Sequence, residues 1–124
     1  MSKSESIILR KTFVFGVAIV NMHKELMAKN QYHVLSKQLL CCGTSIGANV
    51  REAHSAESKS DFIHKMSIAQ KETSETLYWL ELLNASGYMQ PGESDSLTKD
   101  ANEILVIIRS IILTSKNGAR KKTA

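Results

Sequence analysis

The chain has 124 residues, of which 43% are hydrophobic and 23% charged, with a formal net charge of +4, and it fits one globular domain with a modest core. With one proline and six glycines it is poor in helix breakers, which favours long helices over many short strands. No apolar run approaches the roughly 18 residues of a membrane span, and the adjacent Cys41 and Cys42 would close no useful disulfide loop, so we expect reduced thiols, a cytoplasmic protein and no membrane partner.

The first helix is predicted over about residues 5–29. Its apolar stripe is expected to consist of Leu9, Phe13, Val17, Val20 and Met27, with Phe15, Ile19, Met22 and Leu26 widening the face. The run from Phe13 to Val20 could be mistaken for the core of a signal peptide. No small-residue cleavage site follows it, so secretion is not expected.

The second helix is predicted over about residues 34–55, with a stripe that contains an asparagine. Leu35, Leu39, Cys42 and Ile46 recur at helical spacing, and the next two steps land on Asn49 and Ala53. A buried amide without partners is costly, so we expect Asn49 to face the interior and to hydrogen-bond a neighbouring helix.

The third and fourth helices are predicted over about residues 60–86 and 94–115. The third carries Phe62, Met66, Ala69, Thr73, Thr76, Leu80 and Leu83, and the fourth carries Leu97, Ala101, Ile104, Ile108 and Ile111. Gly87 is the expected left-handed cap of the third helix. The fold class is therefore predicted as all-α, an antiparallel up-down-up-down four-helix bundle over residues 1–115.

The apolar faces of the first and last helices are too wide for a small monomer. Ile104 to Leu113 is aliphatic nearly all round, interrupted only by Arg109 and Ser110. An outer apolar surface indicates a partner or self-association, although a well-packed monomer is the alternative. We expect a homo-oligomer, with Ile107 and Ile112 as the positions whose change to aspartate would disturb it.

The polar motifs do not assemble a catalytic set or a metal site. Gly43 and Gly47 lack the spacing and the lysine of a phosphate loop. Asp61 and His64 form a single pair, whereas a bundle metal site needs several. Cys41 or Cys42 would need a base, for which His33 and His54 are conceivable, but a thiol on an apolar face is more often packing. No enzyme, cofactor or metal is predicted.

The third helix holds the densest polar pattern, with Glu72 and Glu75 one turn apart and Trp79 after them. One interpretation is a solvated face that borders an interface. The other is a structural polar cluster in which Glu75 meets Asn49 and Glu52 of the second helix.

Two stretches together resemble a known family. The stretch "SIGANVREA" supplies Ser45, Ile46, Asn49, Val50 and Glu52, and the stretch from Phe62 to Met89 supplies Phe62, Ile68, Ala69, Glu75, Gly87 and Tyr88. They resemble the four-helix-bundle family named after 23S rRNA intervening-sequence proteins. Ala53 stands where the family usually has a glycine, and Arg51 is bulkier than usual.

The resemblance implies an up-down bundle that assembles as a homopentamer, with no enzymatic activity. It also implies a relative, the accessory protein of diversity-generating retroelements, which binds a reverse transcriptase and nucleic acid through a basic surface. The alternative to a nucleic-acid-binding oligomer is therefore a protein-partner scaffold of that kind. A small metal-binding bundle enzyme using Glu52, Glu72, Glu75 and His54 is a further alternative.

The net positive charge lies in the last residues of the chain, 116–124, which are expected to form a disordered tail. The tail residues Lys116, Arg120, Lys121 and Lys122 have no acidic neighbour in that segment. A mobile basic arm suits RNA or DNA, because phosphate contacts release counterions and need no fixed geometry. A solubility tail without a ligand is the alternative. If the tail does not bind, Arg51, Lys59 and Lys65 are the next candidates.

Overall fold

The structure, a computed structural model, describes residues 1–29 and 34–123, with side chains described as far as residue 118. It contains four α-helices: α1 (Lys3–Ala28), α2 (Val34–His54), α3 (Lys59–Ala85) and α4 (Asp95–Thr123). Each helix packs against two neighbours, in the pairs α1–α2, α2–α3, α3–α4 and α1–α4. This arrangement confirms the predicted all-α four-helix bundle. His33 lies outside the described residues.

The helix ends follow from local capping chemistry. Ser2 and Glu5 form a capping box at α1, and the Ser58 hydroxyl accepts from the Asp61 N–H at α3. At the other end of α3, Gly87 has a φ of +83° and the Tyr88 N–H donates to the Leu83 carbonyl over 3.0 Å. This left-handed cap confirms the one predicted at Gly87.

The core seams of α3 and α4 confirm the predicted ones, apart from half-buried Phe62. The buried residues of these two seams are Met66, Ala69, Thr73, Thr76, Leu80, Leu83, Leu97, Ala101, Ile104, Ile108 and Ile111. Two of them are threonines, and each hydroxyl donates to a carbonyl of its own helix over 2.7 Å, Thr73 to Ala69 and Thr76 to Glu72. These bonds satisfy both buried hydroxyls within their own helix.

The predicted assignment of the main stripe of α1 is wrong. The buried face consists of Ile8, Thr12, Phe15, Ile19, Met22 and Leu26, whereas Phe13, Val17, Val20 and Met27 are exposed large hydrophobic residues. Both stripes recur at helical spacing, so periodicity shows that two apolar faces exist without showing which one meets the core. The consequence is a solvent-facing apolar surface on α1.

The predicted step from Ile46 to Asn49 on α2 is also wrong. The seam runs through Ile46, Val50 and Ala53, which are buried, while Asn49 is only half-buried. Spacings of three and four residues are both compatible with a helical seam, and the interior takes the valine because burying it costs no hydrogen bond. The core therefore contains no asparagine on this helix.

The last helix extends beyond its predicted end at residue 115. Its backbone remains helical from Lys116 to Thr123, where a disordered tail was expected. Lysine, alanine and arginine favour helices, and Gly118 is the one weak helix former in this segment. The basic residues therefore continue the α4 rod, while the side chains of Arg120, Lys121 and Lys122 lie outside the described part.

By length and composition alone, α1 could cross a membrane, although the sequence analysis expected no such run. It is the one helix among the described residues that meets this test. Core helices of soluble proteins and signal sequences pass the same test, so this finding does not indicate a membrane location.

Helices α1 and α2 approach closely because two positions on α2 lack side chains. A Cβ atom at Gly43 would lie 2.9 Å from Cγ1 of Ile19, and one at Gly47 would lie 3.2 Å from the backbone oxygen of Thr12. Gly16 has open space, since a Cβ atom there meets nothing within 4 Å. The two α2 glycines therefore set the distance between these helices.

We expect Gly43→Ala to lower the free energy of unfolding by about 1–2 kcal/mol, because overpacking against Ile19 outweighs the gain in helix propensity. Gly16→Ala is the matched control and should raise it by up to about 1 kcal/mol. Urea unfolding of both variants measures the difference. A Gly43→Ala variant as stable as Gly16→Ala would show that the contact gives way freely.

Candidate nucleic-acid interface

Both chain ends and one interhelical loop meet at one end of the bundle. The start of α1, the end of α2, the start of α3 and the end of α4 surround a cleft of about 410 Å³. Residues of all four helices line it, among them Glu5, His54, Lys59 and Ser115. We call this part of the molecule the basic end, for the charges described next.

Basic residues outnumber acidic ones at the basic end. Its basic residues with described side chains are Lys3, Arg10, Lys11, Arg51, Lys59, Lys65, Arg109 and Lys116, and its acidic residues are Glu5, Glu52, Glu57, Asp61 and Glu103, which pairs with Lys11. The other end has the opposite balance, with Lys24, Lys29, Lys37, Lys71 and Lys99 against Glu25, Glu72, Glu75, Glu81, Glu93, Asp95 and Asp100. The fold therefore separates charges that are interleaved along the sequence.

Two further carboxylates at the basic end have local hydrogen-bond or ion-pair partners. Glu52 pairs with Lys65, with 3.2 Å between Oε2 and Nζ. The Ser2 backbone N–H donates to Glu5 and lowers the pKa of that carboxyl. Lys59 is exposed. It lies beside the last turns of α4, because its Nζ is 3.7 Å from the position that a Cβ atom on Gly118 would occupy. Exposed lysines of this kind can contact phosphates without a large desolvation cost.

His54 closes the inner wall of the cleft. Its Nδ1 lies 2.8 Å from the Val50 carbonyl oxygen, and its ring meets Phe62 edge to face with centroids 5.9 Å apart. A carbonyl partner requires a proton on Nδ1, which leaves Nε2 as an acceptor. Nε2 is buried without a hydrogen-bond partner. The contacts of the ring with Phe62 and its own helix fit a packing role.

The predicted polar cluster of Asn49, Glu52 and Glu75 is wrong in its contacts. The amide nitrogen of Asn49 donates to Ser45 of its own helix over 2.9 Å. Glu52 pairs with Lys65, and Glu75 accepts from the Trp79 indole over 3.3 Å. Asn49 and Glu75 thus bond within their own helices, and Glu52 pairs with α3, so the three side chains do not form one cluster. The structure therefore gives no reason to expect that replacing Asn49 with leucine would destabilise the bundle.

Glu72 and Glu75 of α3 lie near Cys42 of α2, but this arrangement does not activate the thiol as a nucleophile. Burial, and the neighbouring charge of Glu75, raise the pKa of Glu72. Burial also raises the pKa of the Cys42 thiol, whereas Cys41 is exposed. A thiol with a raised pKa is a poor nucleophile at neutral pH. Within the described ranges, no three His, Cys, Asp or Glu side chains are grouped to hold a metal ion.

Arg51 lies on the side of the bundle and is one of the residues of the basic end. Its guanidinium stands 5.9 Å from the centroid of the exposed Phe13 ring. A cation over an aromatic face is held in place and remains accessible. Of the predicted nucleic-acid-binding residues whose side chains are described, the structure thus puts Lys116 about two turns before the end of α4 and Arg51 in the last turn of α2.

The comparison with known sequences is consistent with this fold. The sequence pattern of the family described as "23S rRNA-intervening sequence protein" matches residues 4–110. The chain belongs to this family.

A solved structure resembles this protein over most of both chains. It is a crystal structure of a protein with unknown function from the S23 ribosomal protein family of Bacteroides thetaiotaomicron. The two chains share 44% sequence identity and a TM-score of 0.84, and the match covers 88% of this chain and 97% of the other. Among curated proteins there is no significant match.

The sequence analysis missed most of the basic end. Lys3, Arg10 and Arg109 were not considered, and Lys59 and Lys65 were only secondary candidates. A signal was available, because an even number of antiparallel helices brings both chain ends to one end of the bundle. If each charged residue had been assigned to the end of the bundle at which its predicted helix places it, the asymmetry of charge would have been visible.

Proposed function

We propose that this protein is a non-enzymatic, homo-oligomeric four-helix bundle that binds RNA or DNA through its basic end. The observation that supports this function best is the separation of charge along the bundle. A surface with several exposed cations and few free carboxylates attracts polyphosphate chains, and each neutralised phosphate releases counterions. The proposal concerns backbone contacts and assigns no sequence preference.

Assembly would strengthen such binding. In a ring of subunits whose bundle axes run parallel to the ring axis, every basic end lies on one face of the ring. Contacts by several subunits to one strand then add by multivalency. We propose a homopentamer, following the resemblance described above, and the exposed apolar residues of α1 and α4 support association. The exposed residues concerned are Phe13, Val14, Val17, Val106 and Leu113.

The test is a binding titration of the intact protein against a fluorescent single-stranded RNA and a DNA duplex of unrelated sequence. Both should bind at low salt, and log K should fall linearly with log salt concentration with a slope of several units. Light scattering on the same sample measures the number of subunits.

Three results would overturn the proposal. Absence of RNA and DNA binding at low salt would favour a protein-partner scaffold instead. Binding that does not depend on salt would exclude phosphate contacts as its source. A stoichiometric transition metal in the purified protein would favour the metal-binding enzyme alternative.

A further inference from the structure

The surface between α1 and α2 contains an open apolar groove. It has a volume of about 450 Å³ and is lined by Phe13, Gly16, Val17, Val20, Lys24 and Arg51 among others. It is open because Gly16 contributes no side chain, and a Cβ atom there would meet nothing within 4 Å. Phe13 is 59% exposed and Val17 46%, so the groove has the size and polarity to accept a large side chain.

A large aromatic side chain is exposed elsewhere on the bundle. Tyr78 on α3 is 57% exposed, and Trp79 braces it edge to face with ring centroids 5.2 Å apart. Glu81, less than one turn further along, is exposed and borders the cleft between α3 and α4. Since each helix packs only on its two neighbours, the α3–α4 side lies opposite the α1–α2 side. Tyr78 therefore cannot reach the groove of its own chain.

The two surfaces lie at the same level along the bundle. Gly43 of α2 meets Ile19 of α1, and the adjacent Cys42 meets Thr76 of α3. Ile19 and Thr76 thus lie at about the same level along the bundle, within roughly one helical turn. Since α1 and α3 run in the same direction, Lys24 and Glu81, each five residues further along, are also level.

We infer that the groove between α1 and α2 receives Tyr78 of a second copy of this chain, and that Lys24 pairs with Glu81 of that copy. This inference rests on the proposed homo-oligomer. Rotation about an axis parallel to the bundle moves no residue along that axis, so contacting residues must be level. The level match and the opposite charges together favour a head-to-tail contact between copies, and such a contact closes into a ring when the rotation between successive copies divides a full turn.

The chemistry of the contact favours another copy of this chain as the occupant. The groove supplies an apolar floor and a cationic rim, and the α3 surface supplies a rigid aromatic ring beside a carboxylate. Aromatic residues in such pockets dominate the energy of many protein interfaces. The apolar stripe of α1 and the exposed tyrosine of α3 would be covered together.

Charge reversal tests the pairing. Light scattering across a dilution series should show that Lys24→Glu and Glu81→Lys each raise the concentration for half-assembly by about tenfold or more. The double variant, Lys24→Glu with Glu81→Lys, should return to within about threefold of the parent. Glu25→Lys is the matched control, because Glu25 is exposed and points about 100° away on the same helix turn.

A second variant tests the groove independently of charge. Gly16→Phe places a large side chain in the open groove, where a Cβ atom meets nothing within 4 Å, so helical content should stay unchanged while the oligomer is lost. If the parent is oligomeric and these variants leave its mass profile unchanged, the inference is wrong and the proposed oligomer uses another face. If the single reversals weaken assembly but the double variant does not recover, the Lys24–Glu81 pairing is wrong. A parent that is monomeric at every concentration contradicts the proposed homo-oligomer itself.

Discussion

Reversing three lysines at the basic end should weaken RNA and DNA binding by at least about tenfold at low salt. The variant is Lys3→Glu, Lys59→Glu and Lys116→Glu, all at exposed positions. Each phosphate contact contributes about 0.9 to the slope of log K against log salt for duplex DNA, so losing three contacts should reduce the slope by about 2.7. Because Lys3 and Lys59 are first residues of helices, glutamate there is also compatible with the helix dipole.

The matched control moves the same charge change to the other end of the bundle. Lys37→Glu, Lys71→Glu and Lys99→Glu are also at exposed positions. This variant should keep most of the affinity and the parental slope, after light scattering has shown that both triple variants retain the parental mass. Equal losses in the two variants would mean that net charge alone governs binding and that the basic end has no special role.

Ile112→Asp should abolish the stable fold, whereas Val106→Asp should leave it intact. Ile112 is 7% exposed, and a carboxylate at that position would be buried without a partner. Such a change costs about 4–5 kcal/mol or more, out of a total stability that is typically 5–15 kcal/mol. Val106 is 66% exposed, so the same substitution there should change subunit stability by less than about 0.5 kcal/mol.

Thermal unfolding followed by circular dichroism distinguishes the two variants. From the sequence, Ile112 was expected at the subunit interface together with Ile107. The structure buries Ile112 inside the subunit, so a smaller or insoluble Ile112→Asp protein would report unfolding. A Ile112→Asp variant that melts like the parent would contradict the burial of this side chain.

The sequence specified the helices well because their signals are local. The seam of α3 is a single apolar stripe, and Gly87 marks the end of that helix. On α1 two apolar stripes compete, and only the positions of the other helices decide which one is buried. On α2 the choice between Asn49 and Val50 depends on a rotation of about 100°, which spacing alone does not resolve.

The candidate site was harder to predict because it belongs to no single segment. The residues of the basic end come from four helix termini, and their common property appears only after the chain is folded. The tail drew attention because its charges are consecutive. Lys59 and Arg10, which lie far apart in sequence, carried no comparable signal. Charge asymmetry of a bundle is a tertiary property.

The shared position of Met1 and Ser115 at one cleft has a practical consequence for handling the protein. A purification tag or fluorescent fusion at either terminus would emerge beside Lys59 and Lys116, and in a ring every copy would place its tag on the same face. Such a tag would shield the surface that the binding assays examine, and an acidic or bulky one would mimic a loss-of-function variant. Immobilisation through the turn between α3 and α4, at the opposite pole, would leave that face free.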